Sequence, residues 1–526
     1  MKDGAMQPYR LTLDKLLEHA ARWHADTQVV TARIGEANDR IGYAGLKERA
    51  LRVSGALAGL GVHVGHRVAT LAWNSQAHLE AWFGIMGMGA TCHTLNPRLT
   101  ADQTAAMLGM SGAQVLVVSA DLLPLARQIV AKAPLRHILT IDGDAAAAGD
   151  GAAVQPLEAL LSEAAAGAVW GDFDENTACG LCFTSGTTGQ PKGVTYTHRS
   201  SYLHTLRLLQ ADVMGMTAQD IVMPVVPMFH ANAWGMPFAA PAVGAKLVLP
   251  GRQTDGASLA RLIASEGVTI ASGVPTVWLG LVEHLEATGG EVPSLKRVVV
   301  GGSSMPPALM ERIERRLGVA VQTSWGMTEL SPLGTIAPPD LADRNPALSG
   351  RPALGIDLLL TDAAGVALPQ QHGGEGHLRV RGPSVVERYL GQDKPATDAH
   401  GWFDTGDLAR IDSQGNLVIT GRSKDLIKSG GEWINPAQIE AIVGALPQVS
   451  LAAVVGRPDP RWGERPILLV EMRQDGQLTD AELLASLNGR IASWWMPEEV
   501  VRLEKMPVAA TGKVDKLRLR SQYGKG

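Results

Sequence analysis

Ten residues, Thr184-Ser-Gly-Thr-Thr-Gly-Gln-Pro-Lys-Gly193, combine three glycines, four hydroxyl side chains and one lysine. Such a stretch makes poor core and a good anion cradle. Glycines let backbone N–H groups crowd an anion, hydroxyls add rotatable donors, and Lys192 supplies a point charge. The spacing is not that of a Walker A loop, because Lys192 follows Pro191 and no Ser or Thr succeeds it. Taken alone, a Gly/Ser-rich stretch is more often a flexible turn; Pro191 and strand-like neighbours on both sides argue otherwise. Two more polar stretches, Gly301-Gly-Ser-Ser-Met305 and Ser324-Trp-Gly-Met-Thr-Glu329, also follow strand-like runs. Ligands of α/β sheets bind beyond the carboxyl ends of strands, so the three loops read as one site. Glu329 is an isolated carboxylate beside Thr328, which suits Mg²⁺ on a triphosphate, since magnesium takes one or two carboxylates plus phosphate oxygens. Asp407, between Gly406 and Leu408 at a strand end, can accept from both hydroxyls of a ribose, although an Asx turn is an equal reading of it alone. By itself Lys513 is an ordinary solvated lysine.

These residues need a scaffold, and the pattern supplies one. Leu13, Leu16, Leu17 and Ala20 keep helical spacing. Gly65–Trp73 reads as a buried strand followed by a helix over 75–88, and Thr100-x-x-Gln103 is a capping box opening another helix. Ala113–Ser119, Lys246–Leu249, Thr269–Ser272 and Arg297–Val300 read as further short strands. Alternating strands and helices imply a parallel α/β sheet. Residues 143–168 are Ala/Gly-rich and read as a surface linker. Beyond 350 the texture turns to short strands and turns, and after a polar hinge near Lys424 the last hundred residues read as a small α+β unit. The ordered pattern is expected to end at Lys513. The expected domains are 1–423 and 424–526, the second one mobile.

Bulk properties exclude several classes. At 526 residues the chain is too long for one ordinary core. A net charge of −5 offers no electrostatic reason for nucleic acid or an anionic membrane. The uncharged run Ile221–Ala245 contains Pro224, Pro227, Pro237 and Pro241, which would break a lipid-exposed helix; it reads as buried strand and loop lining a pocket. Cys92, Cys179 and Cys182 imply a reducing compartment, and the first ten residues lack a signal-peptide core, so the cytoplasm is expected. Cys179-Gly-Leu-Cys182 sits on a predicted strand, where residues three apart face opposite sides, so a redox pair is not expected. The chain is compatible with a homodimer.

Thr184–Gly193, Trp325-Gly-Met-Thr-Glu329, Thr405-Gly-Asp407, Gly421-Arg-Ser-Lys-Asp425 and Gly512-Lys513 occur in the order of the adenylate-forming ligases, and the chain resembles that superfamily over about its whole length. The resemblance implies an α/β fold with a large domain of parallel sheets and helices, a β-rich subdomain and a rotating C-terminal domain. It implies ATP, Mg²⁺ and coenzyme A as small-molecule partners and a two-step reaction through an acyl-adenylate. Thr184, Ser185, Gly186, Thr187, Thr188, Gly189 and Lys192 would hold the β- and γ-phosphates. Thr184 and Glu329 would engage the metal. Gly302, Ser303 and Ser304 would flank the adenine, with Ser324, Trp325, Gly326, Met327 and Thr328 on its other side. Asp407 would hold the ribose, Arg422 would lie near ribose and phosphate, and Ile419 would be a further nucleotide contact. Lys513 would bridge the carboxylate and the α-phosphate, and Lys424 would be the hinge. Trp325 departs from the tyrosine more usual there, and an indole still stacks on a purine.

His230 matches a residue near the acyl carboxylate. With Ala233, Trp234, Met236, Val300, Gly301 and Gly326 it would form the acyl pocket. No acidic residue lies between Asp220 and Asp255, so a substrate amino group would find no counter-charge. Lys428, Ser429, Gly430, Gly431 and Trp433 would meet CoA after rotation, and Glu432 is a candidate base for its thiol. The segments Phe229–Gly235 and Ser429–Ile434 resemble medium-chain acyl-CoA synthetases and 3-methylmercaptopropionate-CoA ligases. Alternatives are an aromatic-acid or amino-acid adenylating enzyme and a non-catalytic nucleotide-binding module.

Overall fold

The computed structural model describes residues 3–143, 153–164, 168–184, 191–339, 344–430, 432–473, 476–509 and 513–524. Two large sheets form the N-terminal part. In the seven-stranded one, Arg67–Leu71 and Val115–Ser119 are central neighbours, paired in parallel. Val115–Ser119 is buried at every position, which is why it reads as a continuous apolar run rather than an alternation. One edge of this sheet ends in an antiparallel pair, Ala178–Thr184 with Lys192–Thr197, in which Thr184 faces Lys192. The nine-stranded sheet carries Ile221–Pro224, Ile270–Gly273, Arg297–Val300 and Ala320–Gly326 as parallel neighbours. A four-stranded antiparallel sheet follows over residues 357–422, and a five-stranded sheet closes the chain from Ile427 onward.

Local signals hold where the chemistry is local. Leu13, Leu16, Leu17 and Ala20 are buried, Thr100 and Gln103 form the reciprocal capping box, and Arg297–Val300 is a strand at those bounds. Four readings change. Residues 143–168 include the edge strand Ala153–Pro156 and the helix Leu157–Glu163, which buries Leu157 and Leu161; an Ala-rich composition hid the two anchoring leucines. Within Ile221–Ala245 the chain forms a strand, a short 3₁₀ turn and then the helix Met236–Val243, where Pro237 sits in the first turn and needs no N–H partner. Asp407 lies inside the long strand Phe403–Ile411, not at its end. The order continues past Lys513 into the helix Lys516–Tyr523, whose Leu519 is fully buried.

No helix among the described residues is long and apolar enough to cross a membrane. Cys92, Cys179 and Cys182 are free and buried, and burial pushes the Cys179 thiol up to about 12. The Cys182 thiol lies toward Thr94 and Asn232, that of Cys179 toward Ser201, as residues on opposite faces of one strand must.

Candidate active site

Trp325, Asp407 and Arg422 come from three strands and meet in one place. The indole Nε1–H of Trp325 donates to Asp407 Oδ2 at 2.9 Å, and Arg422 Nε lies 2.9 Å from Asp407 Oδ1. Asp407 and Arg422 face each other across the antiparallel pair Phe403–Ile411 and Leu417–Arg422, which also carries Ile419. Asp407 is 2% exposed, and burial raises its pKa against the opposing pull of Arg422 and Trp325. Trp325 stands on the strand Ala320–Gly326, so it is held by the nine-stranded sheet rather than by a loop. Its ring packs over Gly334, where a Cβ would come within 2.4 Å of Cζ3.

Lys513 reaches this cluster from the C-terminal part of the chain. A Cβ on Gly302 would sit 3.7 Å from Lys513 Cε, and Gly302 has φ +82°, a backbone that glycine adopts freely. Desolvation pushes the Lys513 ammonium down to about 8; Arg422 adds to that fall and Asp407 opposes it. Ser324 donates its hydroxyl to Val300 O, tying the end of one strand to the next. Ser303 and Ser304 are exposed beside them.

Thr184 and Lys192 face each other at the base of the glycine-rich segment; Ser185, Gly186, Thr187, Thr188 and Gly189 lie outside the described residues. The Lys192 ammonium is 4.8 Å from the ring centroid of Tyr389, and the Tyr389 hydroxyl donates to Glu329 Oε1 at 2.9 Å. Tyr196 donates to Thr328 O at 2.8 Å, which pins the turn that carries Glu329. Glu329 is 7% exposed, and desolvation raises its pKa. Among the described residues no group of three or more His, Cys, Asp or Glu could hold a metal alone. One buried, under-compensated carboxylate near the Thr184–Lys192 stem fits Mg²⁺ carried mainly by phosphate oxygens.

His230 follows the turn after the strand Ile221–Pro224, and burial pushes its pKa down to about 4, with Lys513 and Arg98 contributing. The imidazole is therefore neutral at pH 7. The next four residues, Ala231, Asn232, Ala233 and Trp234, all have positive φ between 42° and 55°. A left-handed run of non-glycine residues costs about 1–2 kcal/mol each and persists only where packing over-determines it. Ala233 and Met236 are fully buried on either side. The run aims the Trp234 ring at Gly301, where a Cβ would be 3.2 Å from its Cη2. A Cβ on Gly326 would come within 2.2 Å of Pro332 O, so that position cannot carry a side chain.

The structure does not bring the expected CoA residues to this cluster. Lys428, Glu432 and Trp433 are exposed on the hairpin Ile427–Ser429 and Glu432–Ile434, with the Lys428 ammonium 5.5 Å from the Trp433 ring centroid. Ser429 accepts from Arg465 and the Gly430 N–H donates to Trp462 O, both within the C-terminal sheet; Gly431 lies outside the described residues. Lys424 sits in the 3₁₀ turn Ser423–Asp425 with its side chain exposed, and its pKa is lowered chiefly by partial desolvation.

Sequence reasoning missed Tyr389, Tyr196 and Arg98. An aromatic or arginine outside a recognisable motif carries no signal of its own.

Known proteins match this chain closely. The AMP-binding enzyme family model matches residues 16–390, and the AMP-binding enzyme C-terminal domain model matches residues 438–513. Medium-chain-fatty-acid–CoA ligase of Ectopseudomonas oleovorans is 40% identical over 532 residues, covering 99% of this chain and 97% of that protein. 3-Methylmercaptopropionyl-CoA ligase of Ruegeria pomeroyi is 42% identical over 533 residues, covering 99% and 98%. The crystal structure of anthranilate CoA ligase AuaEII with anthranoyl-AMP superposes with a TM-score of 0.88 at 25% identity, covering 99% of this chain and 98% of that one.

Proposed function

Because the chain belongs to the AMP-binding enzyme family and is an AMP-forming acyl-CoA ligase using ATP, Mg²⁺ and coenzyme A, we propose that its acid is uncharged and of short or medium length, 3-methylmercaptopropionate included. The observation that carries this reading is the charge around His230. Two cations, Lys513 and Arg98, act on it, which suits a carboxylate head. Ala233, Met236 and Val300, expected along the acyl chain, are buried apolar residues, and no acidic residue lies between Asp220 and Asp255. Trp234 packed on Gly301 limits the depth available to a long chain. The substrates named for the two curated relatives fall in the same range.

In the first half-reaction a carboxylate oxygen forms a bond to the α-phosphorus, the bond to the bridging oxygen breaks, and pyrophosphate leaves. Lys513 lies between the two anions and offsets the charge that builds on the equatorial oxygens. Asp407 accepts from the ribose hydroxyls, and Lys192 with the 184–189 loop holds the β- and γ-phosphates. Glu329 and Thr184 would hold Mg²⁺ on the protein side, where the ion would supply charge neutralisation for the pyrophosphate. Neutral His230 orients the acyl carboxylate as a hydrogen-bonding partner without adding a second positive charge.

In the second half-reaction the CoA sulfur attacks the acyl carbon and the carbon–oxygen bond to AMP breaks. The thiol proton passes to a base, for which Glu432 is the candidate. The chain between the halves supports a pivot at Lys424. Arg422 is tied to Asp407, whereas Asp425 is tied to Arg520 at 2.9 Å, so Ser423 and Lys424 connect two separately anchored bodies. That supports domains of 1–423 and 424–526, with Lys428–Trp433 swinging in as Lys513 leaves. Three free, buried thiols support a reducing compartment, the cytoplasm.

The test is ATP-dependent pyrophosphate release over butyrate, hexanoate, octanoate, 3-methylmercaptopropionate, cinnamate, benzoate and several amino acids, with and without CoA. Activity concentrated on the aliphatic members, with thioester formed only when CoA is present, is expected. Preference for the aromatic acids overturns the pocket reading.

A further inference from the structure

An ionised carboxylate has two oxygens and about four acceptor sites. On Asp407 one of these is committed within the described residues: Oδ2 accepts the Trp325 indole N–H at 2.9 Å. Oδ1 lies 2.9 Å from Arg422 Nε as an ion pair and, though buried, accepts no hydrogen bond among the described residues. Each oxygen therefore keeps an acceptor direction open. That pair matches two adjacent hydroxyl donors and leaves an acceptor unfilled for a sugar with only one.

The two anchors differ in stiffness. The Arg422 side chain is 45% exposed and adjoins the Ser423–Asp425 turn. Trp325 is 7% exposed, sits within a strand, and has its ring packed so closely over Gly334 that a side chain there would leave it no room. A tyrosine or phenylalanine could fill much of the same volume, but neither carries an N–H at the indole's edge. Resting on the assignment of Asp407 to the ribose, we infer that Trp325 is a positioning residue for the nucleotide. Its Nε1–H fixes the rotation of the Asp407 carboxylate so that both ribose hydroxyls are accepted, and thereby sets the preference for ribonucleoside over deoxyribonucleoside triphosphates.

The experiment measures ATP–pyrophosphate exchange with ATP, 2′-deoxyATP and 3′-deoxyATP in the full-length protein. The variants are Trp325→Phe, Asp407→Asn, and a protein with 3-benzothienylalanine at 325, which keeps the bicyclic shape and replaces N–H by sulfur. For both Trp325 variants, KM for ATP is expected to rise roughly tenfold to a hundredfold, the scale of a hydrogen bond to a charged group. A kcat changed by less than about threefold marks loss of binding and not of chemistry. The ratio of kcat/KM for ATP over either deoxynucleotide should shrink by the same order. A packing defect alone would be seen with Trp325→Phe and not with the benzothienyl protein. If the benzothienyl protein keeps the wild-type KM and ratio while Asp407→Asn loses both, this inference falls and the ribose assignment stands. If Asp407→Asn also keeps the ratio, both fall.

Discussion

The phenol of Tyr389 joins two charged groups of the site: its hydroxyl donates to Glu329 Oε1 at 2.9 Å, and its ring lies 4.8 Å from the Lys192 ammonium. Glu329 is buried, and burial raises its pKa. The hydroxyl favours the ionised form that a cation would need, and it leaves Glu329 Oε2 as the oxygen open to the proposed metal. Tyr389→Phe keeps the ring under Lys192 and removes only the hydroxyl. The apparent affinity for Mg²⁺ in the pyrophosphate-release assay should weaken by roughly tenfold to a hundredfold. An unchanged Mg²⁺ titration would remove Glu329 from the metal's ligands or Tyr389 from its support.

Lys513→Ala should lose adenylation by about 10²–10³-fold, the usual cost of removing one preorganised charge from a transition state. The same variant should still convert supplied acyl-adenylate and CoA to thioester, since Lys513 has no part in that step. Measuring each half-reaction separately checks this, and survival of both would show that Lys513 is not the adenylation lysine.

The pH dependence of adenylation follows from the same residue. Lys513 must be charged to bridge two anions, and its pKa is pushed down to about 8. The CoA-free kcat/KM should therefore be flat below about pH 8 and fall about tenfold per unit above it. Bound ATP adds negative charge and raises the pKa, so the limb in kcat should lie at higher pH. In Lys513→Arg the alkaline limb should vanish from the accessible range, because guanidinium stays protonated.

His93 is fully buried, neither ring nitrogen has a hydrogen-bond partner among the described residues, and burial pushes its pKa down to about 3. The unfolded chain binds a proton at His93 near pH 6.5 and the folded protein does not, so this residue lowers stability as pH falls from about 6.5 toward 3. His93→Leu fills the same place beside Phe183 with an apolar group. Relative to pH 7.5, the variant should lose about 2 kcal/mol less stability at pH 5 than the parent. Urea unfolding at both pH values checks it; equal losses would mean that the folded protein protonates this imidazole normally.

The sequence by itself determined the parallel α/β class and the adenylate-forming family, and it pointed to the Thr184–Gly193 loop, Asp407, Glu329 and Lys513 as parts of one proposed nucleotide site. Strand and helix patterns are set by side chains a few positions apart, so the Thr100–Gln103 capping box and the strand Arg297–Val300 could be read directly. Lys513 was legible only through its place in an ordered set of motifs, because an isolated lysine beside a glycine says nothing. Tertiary structure decided the partners. Trp325 and Asp407 are 82 residues apart and Glu329 and Tyr389 are 60 apart, and a hydrogen bond across such a separation leaves no periodicity in the chain. The left-handed run from Ala231 to Trp234 was equally hidden, since alanine and tryptophan adopt that backbone only when surrounding packing offsets its cost. Residue types announce which chemistry is possible; the packing of distant strands fixes which atoms of Asp407 and Glu329 are left free to do it.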